Sequence, residues 1–373
     1  MTSWRADLPY NELPPPPDVQ ELETRDVLKA AIRANRALAQ LDQAVHTIPN
    51  PTVLINAIPL LEAQASSEIE NILTTTDELF RHSDDESGAD PATRETLRYR
   101  TALRIGFDRT IERGLTAATA SAVCSIIKGR EMPTRSVPGT RIANPQTGEI
   151  IYSPPEGREV IDRKMSEWEF FIHAEDDLDP LVRMATAHYQ FEAIHPFADG
   201  NGRTCRIVNV LMLVEAGLLR LPVLYLSRYI IDTKNDYYRL LLAVTERSAW
   251  EEWLLYMLKG IDQTSRHTLA KVVAIRELQD DFNRRARSAS KGGGDSEFQS
   301  VLFEQPYCRI ATVMERCGVS RPTATGWLNG LADGGLLQTT KVGRDRLYIN
   351  RQFLRLLVRQ EPSRQSEPVS GVP

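Results

Sequence analysis

The chain has 373 residues, of which 42 % are hydrophobic, 25 % charged and 7 % aromatic, the balance of a folded globular protein rather than a disordered, collagen-like or rod-like one. The length predicts two or three domains. Net charge is −5 but uneven: residues 266–360 carry 16 Lys/Arg against nine Asp/Glu, a local +7 that leaves the remainder at −12 and hints at an acidic partner for the C-terminal third.

From Met1 to Pro17 the chain shows Asp7, Glu12 and the run Pro14 to Pro17, where a secretory signal needs a basic start and an apolar core. No apolar run reaches the roughly 18 residues of a membrane span. Thr24 to Leu41 reads as a helix with Leu28, Ile32, Leu38 and Leu41 on one face, broken at Pro49 and Pro51. A second helix follows from about Leu60, its apolar stripe Leu61, Ala65, Ile69, Ile72 and Leu73, with Ser66 and Glu70 one turn apart on another face. Arg94 to Lys128 and Arg163 to Ile172 are helical in pattern. Between them Arg141 to Tyr152 reads as a hairpin, Ile142, Ile150 and Ile151 flanking the turn-rich Asn144 to Glu149. Helices are expected again over Leu181 to Ile194, Cys205 to Leu218 and Tyr237 to Lys259.

Ser288 to Ser296, with Gly292, Gly293 and Gly294, has the composition of a flexible linker. Beyond it, Ile310 to Cys317 and Pro322 to Asp333 read as two short helices joined at Gly318-Val319-Ser320, and Gln338 to Asn350 as a hairpin around Gly343. That is the outline of a winged helix. Residues after about Gln360 are rich in Pro, Ser and Gly and read as disordered. The fold expected is mainly α, with one β-hairpin and a C-terminal winged-helix domain. The four cysteines, Cys124, Cys205, Cys308 and Cys317, form no CxxC pair, which argues against a disulfide scaffold or zinc knuckle and for a reducing, cytoplasmic setting.

The chemistry concentrates in His195-Pro196-Phe197-Ala198-Asp199-Gly200-Asn201-Gly202-Arg203-Thr204-Cys205-Arg206, a loop opening into a helix. A helix N-terminus offers unpaired N–H groups and a positive dipole end, and small residues let an anion approach the backbone. Gly200, Asn201 and Gly202 therefore shape a phosphate cradle, while Arg203 and Arg206, three apart, can grip successive phosphates. Asp199 is a hard oxygen ligand suited to Mg²⁺, and His195 is a base that titrates near neutrality. The chain has no GxxxxGK[ST] loop, GxGxxG turn or HExxH pair, so the rival nucleotide and zinc motifs find no foothold.

This loop resembles, at every specified position, the Fic-family signature His, x, Phe, x, Asp or Glu, Gly, Asn, Gly, Arg, x, x, Arg. The resemblance implies transfer of AMP from ATP to a Ser, Thr or Tyr hydroxyl of a target protein. It implies His195 as general base, Asp199 as the Mg²⁺ ligand, and Gly200, Asn201 and Gly202 as the anion hole. Arg203 falls at the β-phosphate, Arg206 at the γ-phosphate, and Phe197 anchors the loop. Thr204 and Cys205 are counted among the nucleotide-binding residues, and Tyr237 or its neighbour Tyr238 is expected to face the adenine. The hairpin 141–152 is similar to the family's flap, which docks a target segment by strand addition. Ser66-Ser67-Glu68-Ile69-Glu70-Asn71 resembles the family's inhibitory signature, Ser or Thr, three residues, Glu, then Gly or Asn. That implies an N-terminal inhibitory helix with Ser66, Glu70 and Asn71 acting on Arg206. The layout resembles the SoFic type: a helical region 1–110 with the inhibitory helix at about 60–75, a core 111–265, a helix and linker 266–297, a winged helix 298–360 and a tail 361–373. Alternatives are transfer of another phosphate-containing group, removal of AMP, and DNA binding through Arg309, Arg316, Arg321, Lys341, Arg344 and Arg346. Self-modification and a homodimer are further partner readings.

Overall fold

The computed structural model describes residues 4–46, 52–83, 86, 88–144, 147–342 and 345–359. Pro49, Pro51, Gly343, Arg344 and the tail beyond Arg359 lie outside them. The chain divides into two units, Met1–Val272 and Val273–Pro373.

At the centre of the first unit are the helices Pro180–Ile194 and Asn201–Glu215, buried on almost every side and packed against each other. Helices buried this completely need neighbours on every side, with partners for their buried polar groups. Here the enclosure comes from Thr52–Ile69, Pro91–Arg113, Ala117–Lys128 and Arg158–Ile172. Trp168 and Trp253 each bury an indole and donate its N–H to carbonyls of the first central helix, Ala187 at 3.1 Å and Ala185 at 2.8 Å.

The helix expected from Thr24 runs from Arg25 to His46. Its buried face is Val27, Ala31, Ala34, Leu38, Leu41 and Val45, whereas Leu28 and Ile32 are exposed. Spacing by threes and fours selects the alanines, and small side chains let this helix approach the first central one closely. Thr52–Ile69 starts earlier than expected, carries Pro59 inside, and stops before Ile72 and the exposed Leu73. The stretch 94–128 is two helices divided at Gly114, and 237–259 is divided at Ser248, which is left-handed with φ 55°. The hairpin pairs Ile142–Ala143 with Ile150–Tyr152 antiparallel.

The N-terminal segment, unremarkable in sequence, is a strap. The Tyr10 N–H donates to the Ser153 carbonyl at 3.0 Å, Asn11 Oδ1 accepts from the Glu156 N–H at 2.7 Å, and Gln190 Nε2 donates to the Pro14 carbonyl at 3.1 Å. Trp4 and Tyr10 pack on the Tyr152 ring. The base of the hairpin is thereby tied to the first central helix.

In the second unit, helices Ile310–Cys317 and Arg321–Asp333 are joined by a turn at Gly318. Strands Gln338–Val342 and Asp345–Ile349 form a hairpin, to which the unforeseen strand Tyr307–Arg309 adds on the Asp345–Ile349 side. The linker expectation is corrected here. Trp250–Ala289 is one 40-residue helix, and the glycines after it form a packed turn. A side chain at Gly292 would collide with the Trp327 indole, and one at Gly293 with the Ala286 carbonyl. These glycines serve close approach, a use that composition cannot distinguish from flexibility.

Candidate active site

His195 ends the first central helix in the left-handed conformation, φ 52°, ψ 58°, its N–H donating to the Phe191 carbonyl at 3.0 Å. That turn throws the chain off the helix axis into the loop. Phe197, buried against Phe191, anchors it. Asn201 then locks it: its Nδ2 donates to the Phe197 carbonyl at 2.7 Å and its Oδ1 accepts the Phe197 N–H at 2.8 Å. The Asn201 side chain is therefore a staple of the loop, and any anion hole here is backbone. Gly200, φ 86°, is the N-cap of the second central helix, whose first-turn N–H groups have no upstream carbonyl within the helix.

Arg206, on the next turn, is buried and held through its Nε and Nη2. Its Nε donates to Ser66 Oγ at 2.8 Å, and its Nη2 donates to the Ser66 carbonyl at 3.0 Å and to Glu70 Oε1 at 2.7 Å. Burial works against the Arg206 charge, but Glu70 more than restores it, so the guanidinium is held firmly protonated; desolvation likewise opposes the Glu70 charge and Arg206 holds that carboxyl below its usual range. The carboxylate lies against the start of the central helix, where any side chain at Gly202 would collide with it. A carboxylate thus already sits beside the start of this helix.

The segment carrying Ser66 and Glu70 has a local logic. Asn71 is left-handed, φ 59°, and the Ile72 N–H turns back to the Ser67 carbonyl at 2.9 Å. This is a helix stop of the kind for which Gly and Asn are suited, and it leaves Glu70 on the last turn facing Arg206. Lys234 Nζ donates to the Ile69 carbonyl at 2.6 Å at the same end. Further back, Glu62 accepts from the Ser227 N–H at 3.0 Å, from the Ser227 hydroxyl and from the Tyr99 hydroxyl at 3.3 Å; burial pushes its carboxyl up to about 7.

On the other side of the cradle, Asp199 is the most open group, its side chain 56 % exposed. Lys128 Nζ lies 2.6 Å from Asp199 Oδ2 and 2.7 Å from Glu95 Oε1, which also accepts from Arg203 Nη1 at 2.8 Å. Desolvation opposes ionisation of Asp199, and the Lys128 ammonium outweighs it, so the carboxyl stays below its ordinary range. An exposed, ionised carboxylate beside a helix N-terminus fits a hard divalent ion held together with phosphates.

Three family models match the chain: Fic/DOC family N-terminal over residues 28–108, Fic/DOC family over 115–213, and Protein adenylyltransferase SoFic-like, C-terminal domain, over 278–353. The second contains the whole loop just described. The chain belongs to the Fic/DOC family. Among curated Fic relatives, protein adenylyltransferase fic-1 of Caenorhabditis elegans is 39 % identical over 61 residues, 16 % of this chain and 11 % of that protein. Protein adenylyltransferase Fic of Drosophila grimshawi is 32 % identical over 149 residues, 38 % of this chain and 29 % of that one. The matches therefore span less than a third of the length of these relatives. A Fic family protein from Desulfovibrio desulfuricans G20 superposes with a TM-score of 0.57 at 19 % identity, covering 90 % of this chain and 98 % of its own. A Fic-1 fragment from C. elegans gives 0.52 at 17 %, covering 68 % and 74 %. Both share the Fic fold.

Within that fold four expectations need correction. Tyr237 is only 2 % exposed and hydrogen-bonded to His188 Nε2 at 2.8 Å, so it is a core residue, while the adjacent Tyr238 is 45 % exposed and available to a planar ligand. Cys205 is buried with Sγ 3.4 Å from His188 Nδ1, and Thr204 is buried too, so neither side chain can line a nucleotide site. Arg203 is 1 % exposed and bound to Glu95 rather than presented to a β-phosphate. In the second unit the Arg316 guanidinium is neutralised by Glu297 at 2.7 Å and Glu304 at 2.6 Å, which removes one cation from the basic set. No helix among the described residues is long and apolar enough to cross a membrane.

Sequence reasoning passed over Arg135, Glu95 and Lys128. Arg135 is buried, and its guanidinium donates to the carbonyls of His195 at 2.7 Å, Ile194 at 3.2 Å and Pro155, while its N–H donates to the Pro196 carbonyl at 2.9 Å. It fastens the hairpin base to the loop that follows His195. Desolvation first, and then the Arg135 charge, pull the His195 imidazole from 6.5 down to about 4. The ring is thus neutral, and able to accept a proton, throughout the physiological range. An NMR titration should place the His195 midpoint near 4, and Arg135→Met should move it up toward 6.5. A native midpoint at 6.5 would show a solvated ring.

Proposed function

We propose that the chain is a protein adenylyltransferase that moves AMP from ATP onto a Ser, Thr or Tyr hydroxyl of a target protein and is held in check by Glu70. The observation carrying this reading is one arrangement: a neutral His195 at the mouth of a helix N-terminus whose Arg206 is occupied by a carboxylate. Curated relatives of the chain carry the name protein adenylyltransferase, which agrees with it.

His195 takes the proton of the acceptor hydroxyl, whose oxygen bonds to the α-phosphorus as the bond to the bridging oxygen breaks and pyrophosphate leaves. The reaction asks for positioning and charge stabilisation rather than a covalent enzyme intermediate. The first-turn N–H groups after Gly200 receive phosphate oxygens, and Arg206, once released, fixes the γ-phosphate. Asp199 would hold Mg²⁺, which when bound neutralises phosphate charge. Tyr238 flanks the adenine. The hairpin 142–152 offers strand edges to a target segment, and the second unit has the helix-turn-helix and hairpin order of a winged helix. Incubation of the full chain and candidate targets with α-labelled ATP and Mg²⁺ should yield protein-bound label and an intact-mass gain of one AMP. Label transferred from the γ-position alone would overturn the reading in favour of phosphorylation.

A further inference from the structure

Lys128 is the last residue of the helix Ala117–Lys128, a position from which a lysine ordinarily bends back toward its own terminal carbonyls. This one reaches across to the loop, its side chain only 15 % exposed. Its stem passes Gly200, where an added Cβ would sit 3.4 Å from Lys128 Cδ and 3.3 Å from Cys124 Sγ. The ammonium is shared by Asp199 and Glu95, and Arg203 binds the same Glu95 oxygen and lies 3.9 Å from Asp199 Oδ1. Two carboxylates and two cations thus close an electrically neutral ring. Its members come from three separate parts of the chain.

We propose that Lys128, held by Glu95, is a resident cation on Asp199 that makes divalent-metal binding at this carboxylate conditional on the nucleotide. The inference rests on the reading of Asp199 as the metal ligand. A divalent ion entering a neutral ring leaves two positive charges uncompensated in a half-buried site, where charge interactions are several times stronger than in water. A triphosphate supplies the missing negative charge, so metal and nucleotide enter together. Without Lys128 the ring carries one excess negative charge and attracts the ion unaided. Without the Glu95 charge it carries one excess positive charge and repels it. Opposite changes follow from neutralising two residues that touch each other, which a merely structural ion pair does not produce.

The test is Mn²⁺ binding to the full-length protein, read from the paramagnetic resonance signal of free Mn²⁺, first without nucleotide and then with ATP. Lys128→Met should tighten nucleotide-free Mn²⁺ binding by about tenfold, Glu95→Gln should weaken it, and Lys128→Arg should stay near the native value. Adding Asp199→Asn to Lys128→Met should abolish the gain. Unchanged nucleotide-free affinity in both folded charge-removing variants overturns the role of Lys128. Should Lys128→Met fail to fold, the direction of the isosteric Glu95→Gln decides alone. A gain that survives Asp199→Asn places the ion elsewhere and overturns the assignment of Asp199 instead.

Discussion

Replacing His195 with alanine should reduce AMP transfer by about 10² to 10⁴, the usual cost of losing a general base, while ATP affinity stays close to native. The separation follows from the geometry: the groups proposed to bind the phosphates are Arg206 and the first-turn N–H groups after Gly200, none of which is held by the imidazole. The position is left-handed, φ 52°, a conformation that costs an alanine roughly 1–2 kcal/mol, so a misplaced loop could imitate a lost base. His195→Asn guards against that, because asparagine tolerates this region yet is no base near neutrality. Both variants should show the same collapse in single-turnover rate with nucleotide binding retained by calorimetry. Native transfer by either would remove His195 from the mechanism.

The second large effect runs in the other direction. Glu70→Gly should raise AMP transfer about tenfold. A hydrogen bond to a charged group contributes about 1.5–3 kcal/mol, and the lower end applies because the Glu70 side chain is 35 % exposed. Arg206 would keep its bonds to Ser66 Oγ and the Ser66 carbonyl, so the guanidinium stays oriented while its outer edge becomes free for a phosphate. Since Glu70 precedes the left-handed Asn71 that ends the helix, glycine there loosens the terminus as well as removing charge. Glu70→Gln separates the two, keeping the helix end and losing the charge, and should give an intermediate activation. If neither variant changed the rate or the nucleotide affinity, the contact with Arg206 would be structural only. The lysine that caps this helix end, Lys234, and the buried Glu62 with its Ser227 and Tyr99 partners show how the segment is kept in place while Glu70 is changed.

What the sequence determined by itself was local. The residues from His195 to Arg206 span little more than one loop and one helical turn, so covalent proximity alone gathers base, carboxylate, glycines and arginine at a single helix N-terminus. Ser66 and Glu70 likewise share a helix face by spacing, and Asn71 marks the stop by its tolerance of positive φ. The tertiary structure decided everything that joins distant segments. Glu95 meets Arg203 from 108 residues away, Arg135 meets His195 from 60, and Arg206 meets Ser66 from 140. No periodicity records such pairs, because a carboxylate on a helix surface looks the same in sequence whether it faces water or a partner. The choice between Tyr237 and Tyr238 was open for the same reason: adjacent helix positions differ only in what packs against them. Glycine is the sharpest case. In Gly292 and Gly293 the missing side chain admits the Trp327 ring and the Ala286 carbonyl, and only the neighbours supplied by folding distinguish that use from a flexible joint.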